Sequence, residues 1–290
     1  MGHVYYHHPV DKQFSLDFVN PDAENIVSQI VDYDEDVAVK VVEYELETEF
    51  YGVYTSRVGG GAVGEIELDL SDLADMTEDN GTIVARLLEI YRALLSQNEE
   101  EEGTPVEAYK NIDIEELPDA FDETSWEGTA TDVAGRLASN LILKHALPNA
   151  NHRTAVALIQ LYLRRINSDF SMPETKTEIE PDTYDWREWV NEYINESKRL
   201  LTVRRKNVLF KHLREFGATT LERKHEVMID LSEYELDMYP HEAKVFYAEK
   251  HQDLWIEFVE KAVERAGFPE LTDTTGISKA EFAEKIRRLD

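Results

Sequence analysis

Two apolar patterns with helical spacing flank a short polar loop in the centre of the 290-residue chain. The first pattern contains Val133, Leu137 and Leu141 and ends at Pro148. The second begins near His152 and places apolar side chains at Ala155, Leu158, Ile159, Tyr162, Leu163 and Ile166. Apolar residues at intervals of three and four predict helices that bury one face. We therefore predict two core helices joined by a tight turn.

Helical patterns also cover most of the chain outside this pair. They begin at Gly81 and recur over 185–216, 241–266 and 278–289. Thr129-x-x-Asp132 is typical of a capping box at the start of the first core helix. The acidic, proline-containing stretch 97–128 predicts instead an irregular, exposed segment.

The N-terminal part of the chain has a different pattern. Residues 37–58 and 62–70 are rich in Val, Tyr, Thr and Ile with partial alternation, and three glycines at 59–61 separate them. This arrangement predicts a β-hairpin with a flexible tip at the glycines. We therefore expect a mainly α fold, with a helical core and an N-terminal segment that contains a β-hairpin. The predicted divisions are 1–75, 76–220 and 221–290.

The chain is strongly acidic, with 60 acidic and 30 basic side chains and a formal net charge of −30. Apart from the block Glu99–Glu102, the carboxylates are scattered, which is typical of proteins from a salt-rich cytoplasm. The alternative is a functional acidic surface, such as a mimic of nucleic acid. In either case this charge opposes non-specific binding to nucleic acid or to anionic lipid.

Other features of the composition exclude several classes of protein. The chain has no cysteine, so disulfides and thiolate metal sites are excluded. No apolar run approaches the roughly 18 residues that cross a bilayer, and the first residues lack the apolar core of a signal peptide. We therefore expect a cytoplasmic protein without a membrane partner.

Residues 129–172 depart from the general acidity. They hold only two acidic side chains, Asp132 and Asp169. They keep five basic ones, which are Arg136, Lys144, Arg153, Arg164 and Arg165. Burial of the two core helices explains the missing acids, but it does not explain the retained bases. A site for a phosphate-bearing ligand explains both.

The loop between the two helices contains the candidate site residues. A helix that begins near His152 presents free N–H groups and a positive dipole end, which suit phosphate. Arg153 on its first turn can donate two hydrogen bonds to phosphate oxygens. Asn149 and Asn151 offer amide groups to a phosphate or metal, and His145 is placed to act as a general base. The alternative is a purely structural turn between two helices.

The stretch SNLILKHALPNANHRTAVALIQLYLRRIN resembles the signature loop of the Fic/Doc family, H-x-F-x-[D/E]-[G/A]-N-[G/K]-R. The resemblance covers about 129–168. It implies an all-α core that binds ATP or another nucleotide at the loop. It implies that His145 deprotonates a Ser, Thr or Tyr hydroxyl of a protein substrate, to which AMP or phosphate is transferred. The residues that it implies contact the nucleotide are Asn149, Ala150, Asn151, His152 and Arg153.

The loop departs from the family pattern at several positions. Leu147 replaces the usual aromatic residue. Asn149 replaces the acidic residue that helps to bind Mg²⁺, and an amide without negative charge implies weak Mg²⁺ affinity. His152 stands at the Gly/Lys position, and Val156 stands where members that transfer AMP often have a second arginine. The last two departures favour the Doc-like, phosphate-transferring side of the family, and Asn149 favours weak catalysis.

The resemblance therefore predicts a protein adenylyltransferase or a Doc-like protein kinase, toxin-like in character. No inhibitory S/T-x-x-x-E-G/N helix motif is present, so inhibition is expected from a separate antitoxin. One alternative is a catalytically weak Fic-like interaction or toxin–antitoxin module. Another is a helical nucleic-acid-binding regulator that uses the basic residues between Lys198 and Arg214.

Three further groups of residues have competing interpretations. The basic stretch 198–214 has interleaved apolar residues, which favours an amphipathic helix that offsets nearby acids over a nucleic-acid site. Trp186, Trp189 and Tyr193 are at helical spacing, which favours core packing. His3, His7 and His8 are interpreted as exposed residues near the chain end rather than as a metal site.

Overall fold

The computed structural model describes residues 2–31, 33–34, 36–57, 70–103, 110–173 and 186–288. This part of the chain is mainly α-helical, as the sequence predicts. Its helices are α1 (Ala23–Ile30), α2 (Glu78–Glu102), α3 (Glu116–Asp122), α4 (Ala130–Lys144), α5 (Asn151–Ile166), α6 (Trp186–Glu215), α7 (Pro240–Arg265) and α8 (Lys279–Arg287). Its strands are β1 (His3–Tyr5), β2 (Ser15–Asn20), β3 (Val37–Glu45), β4 (Glu49–Arg57), β5 (Thr220–Glu222) and β6 (Met228–Asp230).

The chain forms two compact units, and each is assembled from two separate stretches. The first unit contains 1–60 and 195–247, and the second contains 61–194 and 248–290. These units differ from the three consecutive segments that the sequence predicts. The reason is that α6 and α7 each contribute residues to both units, so no boundary along the chain separates them.

The first unit contains two three-stranded sheets. In one, β5 lies between β1, to which it is parallel, and β6, to which it is antiparallel. The other is antiparallel in the order β2-β4-β3. The predicted hairpin is present as β3 and β4, but its position was wrong, because the chain turns at 46–48 within the stretch predicted to be one strand. That turn contains neither glycine nor proline. The glycines at 59–61 and most of the predicted second strand lie outside the described residues.

The N-terminal histidines are built into the first unit, so their predicted exposure was wrong. His7 is buried, and its Nδ1 accepts a hydrogen bond of 3.1 Å from the backbone N–H of Lys224. Nδ1 of His8 accepts bonds from the backbone N–H groups of Val10 and Asp11. The His8 imidazole therefore fixes nearby backbone and the His7 imidazole fixes the turn after β5, which are structural roles.

The second unit is helical and holds the candidate loop. The predicted capping box is confirmed, because the Thr129 side chain accepts from the Asp132 N–H while the Asp132 carboxylate accepts from the Thr129 N–H. Helices α4 and α5 pack side by side, with α2, α3 and α8 around them. The fully buried side chains of this core include Leu87, Phe121, Leu137, Leu158, Tyr162, Trp255, Phe258 and Phe282.

The prediction of an irregular, exposed segment over 97–128 was wrong for much of its length. Helix α2 continues to Glu102, and α3 buries Leu117 and Phe121 completely. The many acidic residues hid this short buried face. Within the described ranges, no helix combines the length and apolar character needed to cross a membrane.

Candidate functional site

The predicted turn between two core helices is confirmed, and two residues with left-handed backbone mark its ends. His145 directly follows α4 with φ of 52°, and Ala150 directly precedes α5 with φ of 51°. A non-glycine residue in this region costs on the order of 1 kcal/mol, so surrounding contacts must hold the loop. One of these contacts is a hydrogen bond from Nζ of Lys110 to the backbone oxygen of His145.

The side chain of Asn151 is hydrogen-bonded to the backbone of the loop. It is 5% exposed, and its amide Nδ2 donates a bond of 2.9 Å to the backbone oxygen of Leu147. Its Oδ1 accepts a bond of 3.2 Å from the N–H of the same residue. Both polar groups of the buried Leu147 backbone are thereby satisfied by one side chain. Asn151 therefore has a structural role that the sequence did not reveal.

Asn149 is also directed into the protein. It is 6% exposed, and its Oδ1 accepts a hydrogen bond of 2.6 Å from the hydroxyl of Tyr91 in α2. An oxygen that is buried and engaged in this way does not suit the predicted role of Mg²⁺ ligand. In addition, the described residues contain no group of three His, Asp or Glu side chains that could hold a metal ion.

Three side chains of the loop remain accessible to different degrees. Arg153 is exposed, and its Nη1 donates a hydrogen bond to Oδ1 of Asn98. His145 is half-buried at the end of α4. His152 is half-buried as well, and its ring centroid lies 6.1 Å from that of Trp255. A ligand that approaches the loop from solvent therefore meets imidazole and guanidinium groups rather than the asparagine amides.

The start of α5 has features that suit an anion. Ala150 provides no side-chain cap for the helix, and the Thr154 hydroxyl donates back to the Ala150 backbone oxygen. The first turn contains no acidic residue and does contain Arg153. The positive end of the helix dipole and a guanidinium group thus lie on the same turn.

The five basic residues of 129–172 do not form one patch. Arg136 donates to the backbone oxygens of Ser125 and Glu127. Arg164 and Arg165 lie in the last turn of α5, about 17 Å along the helix axis from Arg153. Only Arg153 lies in the loop and the first turn of α5. Contacts within the fold therefore account for some of the basic residues of 129–172 without a ligand.

Lys144 is the clearest example of a basic residue with such contacts. It forms ion pairs with three carboxylates, at 3.5 Å from Glu116, 3.2 Å from Asp119 and 2.7 Å from Glu123. Burial opposes the charge of the ammonium group, but the hydrogen bonds to Glu123 and Asp119 outweigh burial and raise the pKa of Lys144. This residue therefore ties the end of α4 to α3 and its C-terminal end.

A buried polar chain in the second unit was missed by sequence reasoning. His251 is fully buried, and its Nδ1 lies 2.7 Å from the Ser139 hydroxyl oxygen. Its Nε2 accepts a 3.3 Å hydrogen bond from the Trp255 indole N–H. Because an indole only donates, the neutral imidazole carries its proton on Nδ1 and donates to Ser139. The spacing His251-x-x-x-Trp255 on one helix is the only sequence signal for these hydrogen bonds.

Four basic residues of α6 form ion pairs with acidic residues inside the first unit. The pairs are Arg199 with Glu196 at 3.0 Å, Lys206 with Asp17 at 3.0 Å, Lys211 with Asp237 at 3.0 Å and Arg214 with Asp237 at 2.8 Å. The interleaved Val203, Phe210 and Leu213 are fully buried. These contacts are those of an amphipathic helix that offsets nearby acids.

Trp189 and Tyr193 pack in the core of the second unit, as their spacing predicts. The Trp189 ring stacks on Phe258 with centroids 5.1 Å apart, and Tyr193 meets Trp189 edge-on at 5.6 Å. The side chain of Trp186 lies outside the described residues.

The chain belongs to a family of unknown function, DUF8172, whose model matches residues 1–290. No curated protein and no solved structure matches the chain.

Proposed function

We propose that this DUF8172 member is a Fic/Doc-like transferase that binds the phosphates of ATP, or of another nucleotide, at the start of α5. Its substrate is a Ser, Thr or Tyr hydroxyl of a protein, to which it moves AMP or phosphate. The observation that supports this proposal best is the position of Arg153. It is an exposed guanidinium on the first turn of a helix without a side-chain cap, beside a fixed loop that begins at His145.

In the proposed mechanism the hydroxyl oxygen of the substrate attacks one phosphorus atom of ATP. The imidazole of His145 accepts the hydroxyl proton, and the bond to pyrophosphate or to ADP breaks, depending on which phosphorus is attacked. Arg153 and the N-terminus of α5 stabilise the negative charge that builds up on the phosphoryl oxygens, which is the dominant contribution in phosphoryl transfer. No step is assigned to Mg²⁺, because Asn149 is engaged with Tyr91.

The hydrogen bond between Tyr91 and Asn149 favours a second candidate function, which is a catalytically weak phosphate-binding module. Asn149 stands at the position where the Fic/Doc pattern has an acidic metal ligand, and its oxygen is buried and hydrogen-bonded. A protein with this loop can bind a nucleotide through Arg153 without efficient transfer. In that case the chain acts through an interaction, such as that of a toxin–antitoxin pair.

The cellular context remains part of the proposal. We place the protein in a salt-rich cytoplasm, because 60 acidic residues are tolerated best at high ionic strength. A protein carrying the target hydroxyl is the expected substrate, and a separate antitoxin is the expected inhibitor.

The test is transfer of label from ATP labelled at either the α or the γ phosphate, in molar KCl with cell extract. Label from the α position indicates AMP transfer, and label from the γ position indicates phosphate transfer. We expect His145→Ala and Arg153→Ala each to lower the rate by about 100-fold or more. Arg164→Ala is the matched control, since it removes an exposed arginine from the other end of α5.

The variants separate the two candidates. Labelling that is unchanged in His145→Ala shows that this histidine is not the base. If nucleotide binds in an Arg153-dependent manner without any labelling, the interaction module is the better description. If no nucleotide binds to the native chain, both candidates are wrong.

A further inference from the structure

A group of basic side chains is brought together in the first unit. Lys198 lies on α6, and Arg223 and Lys224 lie at the turn that connects β5 to β6. We call these three residues the cationic cluster. Among the ion pairs of the described residues, none involves a member of the cluster. This is unexpected in a chain that has two carboxylates for every basic residue.

The backbone holds the cluster in place. Arg223 donates two hydrogen bonds that fix its position. Its backbone N–H donates to the Val227 oxygen at 2.9 Å, and its Nη1 donates to the Lys198 backbone oxygen at 2.7 Å. The first bond closes the turn between the strands, and the second attaches the guanidinium to α6. The guanidinium is therefore oriented before any ligand arrives.

These two hydrogen bonds do not satisfy every donor of the Arg223 side chain. Nε of Arg223 is buried and has no hydrogen-bond acceptor among the described residues. A buried donor without a partner costs about 1–3 kcal/mol, so it usually indicates a missing acceptor. The ring of Tyr6, 5.8 Å from the guanidinium carbon, covers another side of the group but accepts no hydrogen bond from Nε.

The charges of the cluster act against one another. Burial and the neighbouring Arg223 lower the pKa of Lys198, and the same two causes lower the pKa of Lys224. Burial, with a contribution from Arg205, lowers the pKa of Arg223. An anion bound among these groups would relieve this repulsion.

A cleft lies further along α6, and it is lined by Arg205, whose charge also acts on Arg223. Its volume is about 240 Å³, and Arg204, Arg205, Lys206 and Lys244 line it together with the buried Asn207. Helix α6 departs from helical geometry at Lys206, beside the cleft, with φ of −121° and ψ of 25°. The cleft offers room for the remainder of a small molecule whose anionic group lies on the cluster.

We propose that the cationic cluster, with the cleft lined by Arg205, binds a small molecule that carries a phosphate or pyrophosphate group. An arginine fork with two lysines matches an anion with several oxygens better than a single carboxylate. A compact ligand contacts only this region, whereas a long nucleic acid would also meet the acidic surface of a chain with net charge −30. The site is independent of the loop at the start of α5.

The test is calorimetric titration of the full chain with sodium pyrophosphate and with inorganic phosphate, at constant KCl concentration. We expect one pyrophosphate to bind per chain in the Arg153→Ala background, in which the phosphate site proposed at the start of α5 is disabled. Lys198→Gln and Lys224→Gln should each weaken binding by about tenfold or more, because each removes a charged hydrogen-bond donor. Lys211→Gln is the matched control on the same helix, since it removes the same charge from a lysine paired with Asp237. It should change affinity by less than about twofold.

Four results would overturn the proposal. One is the absence of binding heat with both anions, and a second is an equal loss of affinity in Lys211→Gln, which would mean a diffuse field effect. A third is tighter, Lys198-dependent binding of a 12-nucleotide single-stranded DNA than of pyrophosphate, which would identify a nucleic-acid site instead. Arg153→Ala disables the phosphate site proposed at the start of α5. Pyrophosphate binding that persists in this variant and weakens with Lys198→Gln therefore reports the cationic cluster, whereas binding abolished by Arg153→Ala alone would place the anion at α5 and overturn the proposal. Lys224 lies in the turn between two short strands, outside any α-helix, so its variant is expected to fold.

Discussion

The contact between Asn151 and the backbone of Leu147 predicts that Asn151 is required for stability as well as for any function of the loop. Replacing Asn151 by alanine removes hydrogen bonds of 2.9 and 3.2 Å and leaves the Leu147 N–H and oxygen buried without partners. Each orphaned group costs about 1–3 kcal/mol, and the longer bond contributes less. We expect a total loss of about 2–4 kcal/mol in the free energy of unfolding.

Asn151→Asp sharpens this prediction because it keeps the shape of the side chain. The new carboxylate can still accept from the Leu147 N–H, but it places an oxygen opposite the Leu147 carbonyl and buries a charge. We therefore expect a loss at neutral pH at least as large as that in the alanine variant. If Asn151 only filled space, the aspartate variant would be close to native.

The assay is urea unfolding followed by far-ultraviolet circular dichroism, in KCl concentrations at which the native chain is stable. In a parallel thermal scan, a loss of 2–4 kcal/mol corresponds to a fall in Tm of roughly 3–7 °C for a chain of this size. Asn167→Ala is the matched control, because Asn167 lies at the opposite end of α5 and makes one exposed 3.1 Å bond to the Asp169 N–H. It should cost about 0.5 kcal/mol or less.

Equal stability losses in the variants at Asn151 and Asn167 would refute the reasoning. If Asn151→Ala kept its stability and lost nucleotide binding, the residue would be a ligand contact, as the resemblance implies. If it lost both, binding measured below the unfolding transition would separate the two effects.

The remaining predictions concern the packing and charges of both units. Gly135→Ala should destabilise the chain by about 1–3 kcal/mol, because the new Cβ would lie 2.6 Å from the backbone of Ile256. Gly81→Ala, whose Cβ would meet nothing closer than 3.5 Å, should stabilise by up to about 1 kcal/mol, and thermal unfolding checks both signs. For Asp17, burial raises the pKa of its carboxyl, but its hydrogen bonds, including one from Lys206, outweigh burial and lower the pKa. The folded chain therefore gains stability from ionised Asp17 above about pH 4. Asp17→Asn should cost no more than about 1 kcal/mol at pH 7, and unfolding measured against pH should show the difference from the native chain closing as the pH falls through the lowered pKa.

Each of these predictions has a result that contradicts it. Stabilisation by Gly135→Ala would mean that α4 and α7 are not in close contact at this point. Destabilisation by Gly81→Ala would mean that α2 is more tightly packed there than the described contacts indicate. A constant difference between the Asp17→Asn variant and the native chain from pH 7 down to pH 3 would show that the ionised form of Asp17 is not favoured by folding.

Local patterns in the sequence were sufficient to predict most of the helices. The capping box at Thr129, the start of α5 near His152 and the limits of α6 and α7 are decided by residues within a few positions of one another. Periodicity and caps act over this range, so they are readable in a single sequence. The β-hairpin was predicted in kind but not in position, because its turn at 46–48 has no glycine or proline to indicate it.

The candidate site was only partly readable in the sequence. The pattern correctly indicated a tight loop between two core helices and an arginine on the first turn of α5. It did not indicate that Asn149 and Asn151 are directed inward, because their partners Tyr91 and Leu147 are identified only when the helices pack. An asparagine in a turn has the same local signature whether its amide faces a ligand or the backbone.

The sequence by itself thus determined a mainly α chain, a very acidic surface and the loop between α4 and α5. Only the tertiary structure decided which charges neutralise one another and which remain. It gave Arg136 and Lys144 structural partners, and it brought Lys198 together with Arg223 and Lys224, which lie about 25 positions further along the chain. Charge pairing depends on distance in space, and long-range proximity leaves no periodic signal in one sequence.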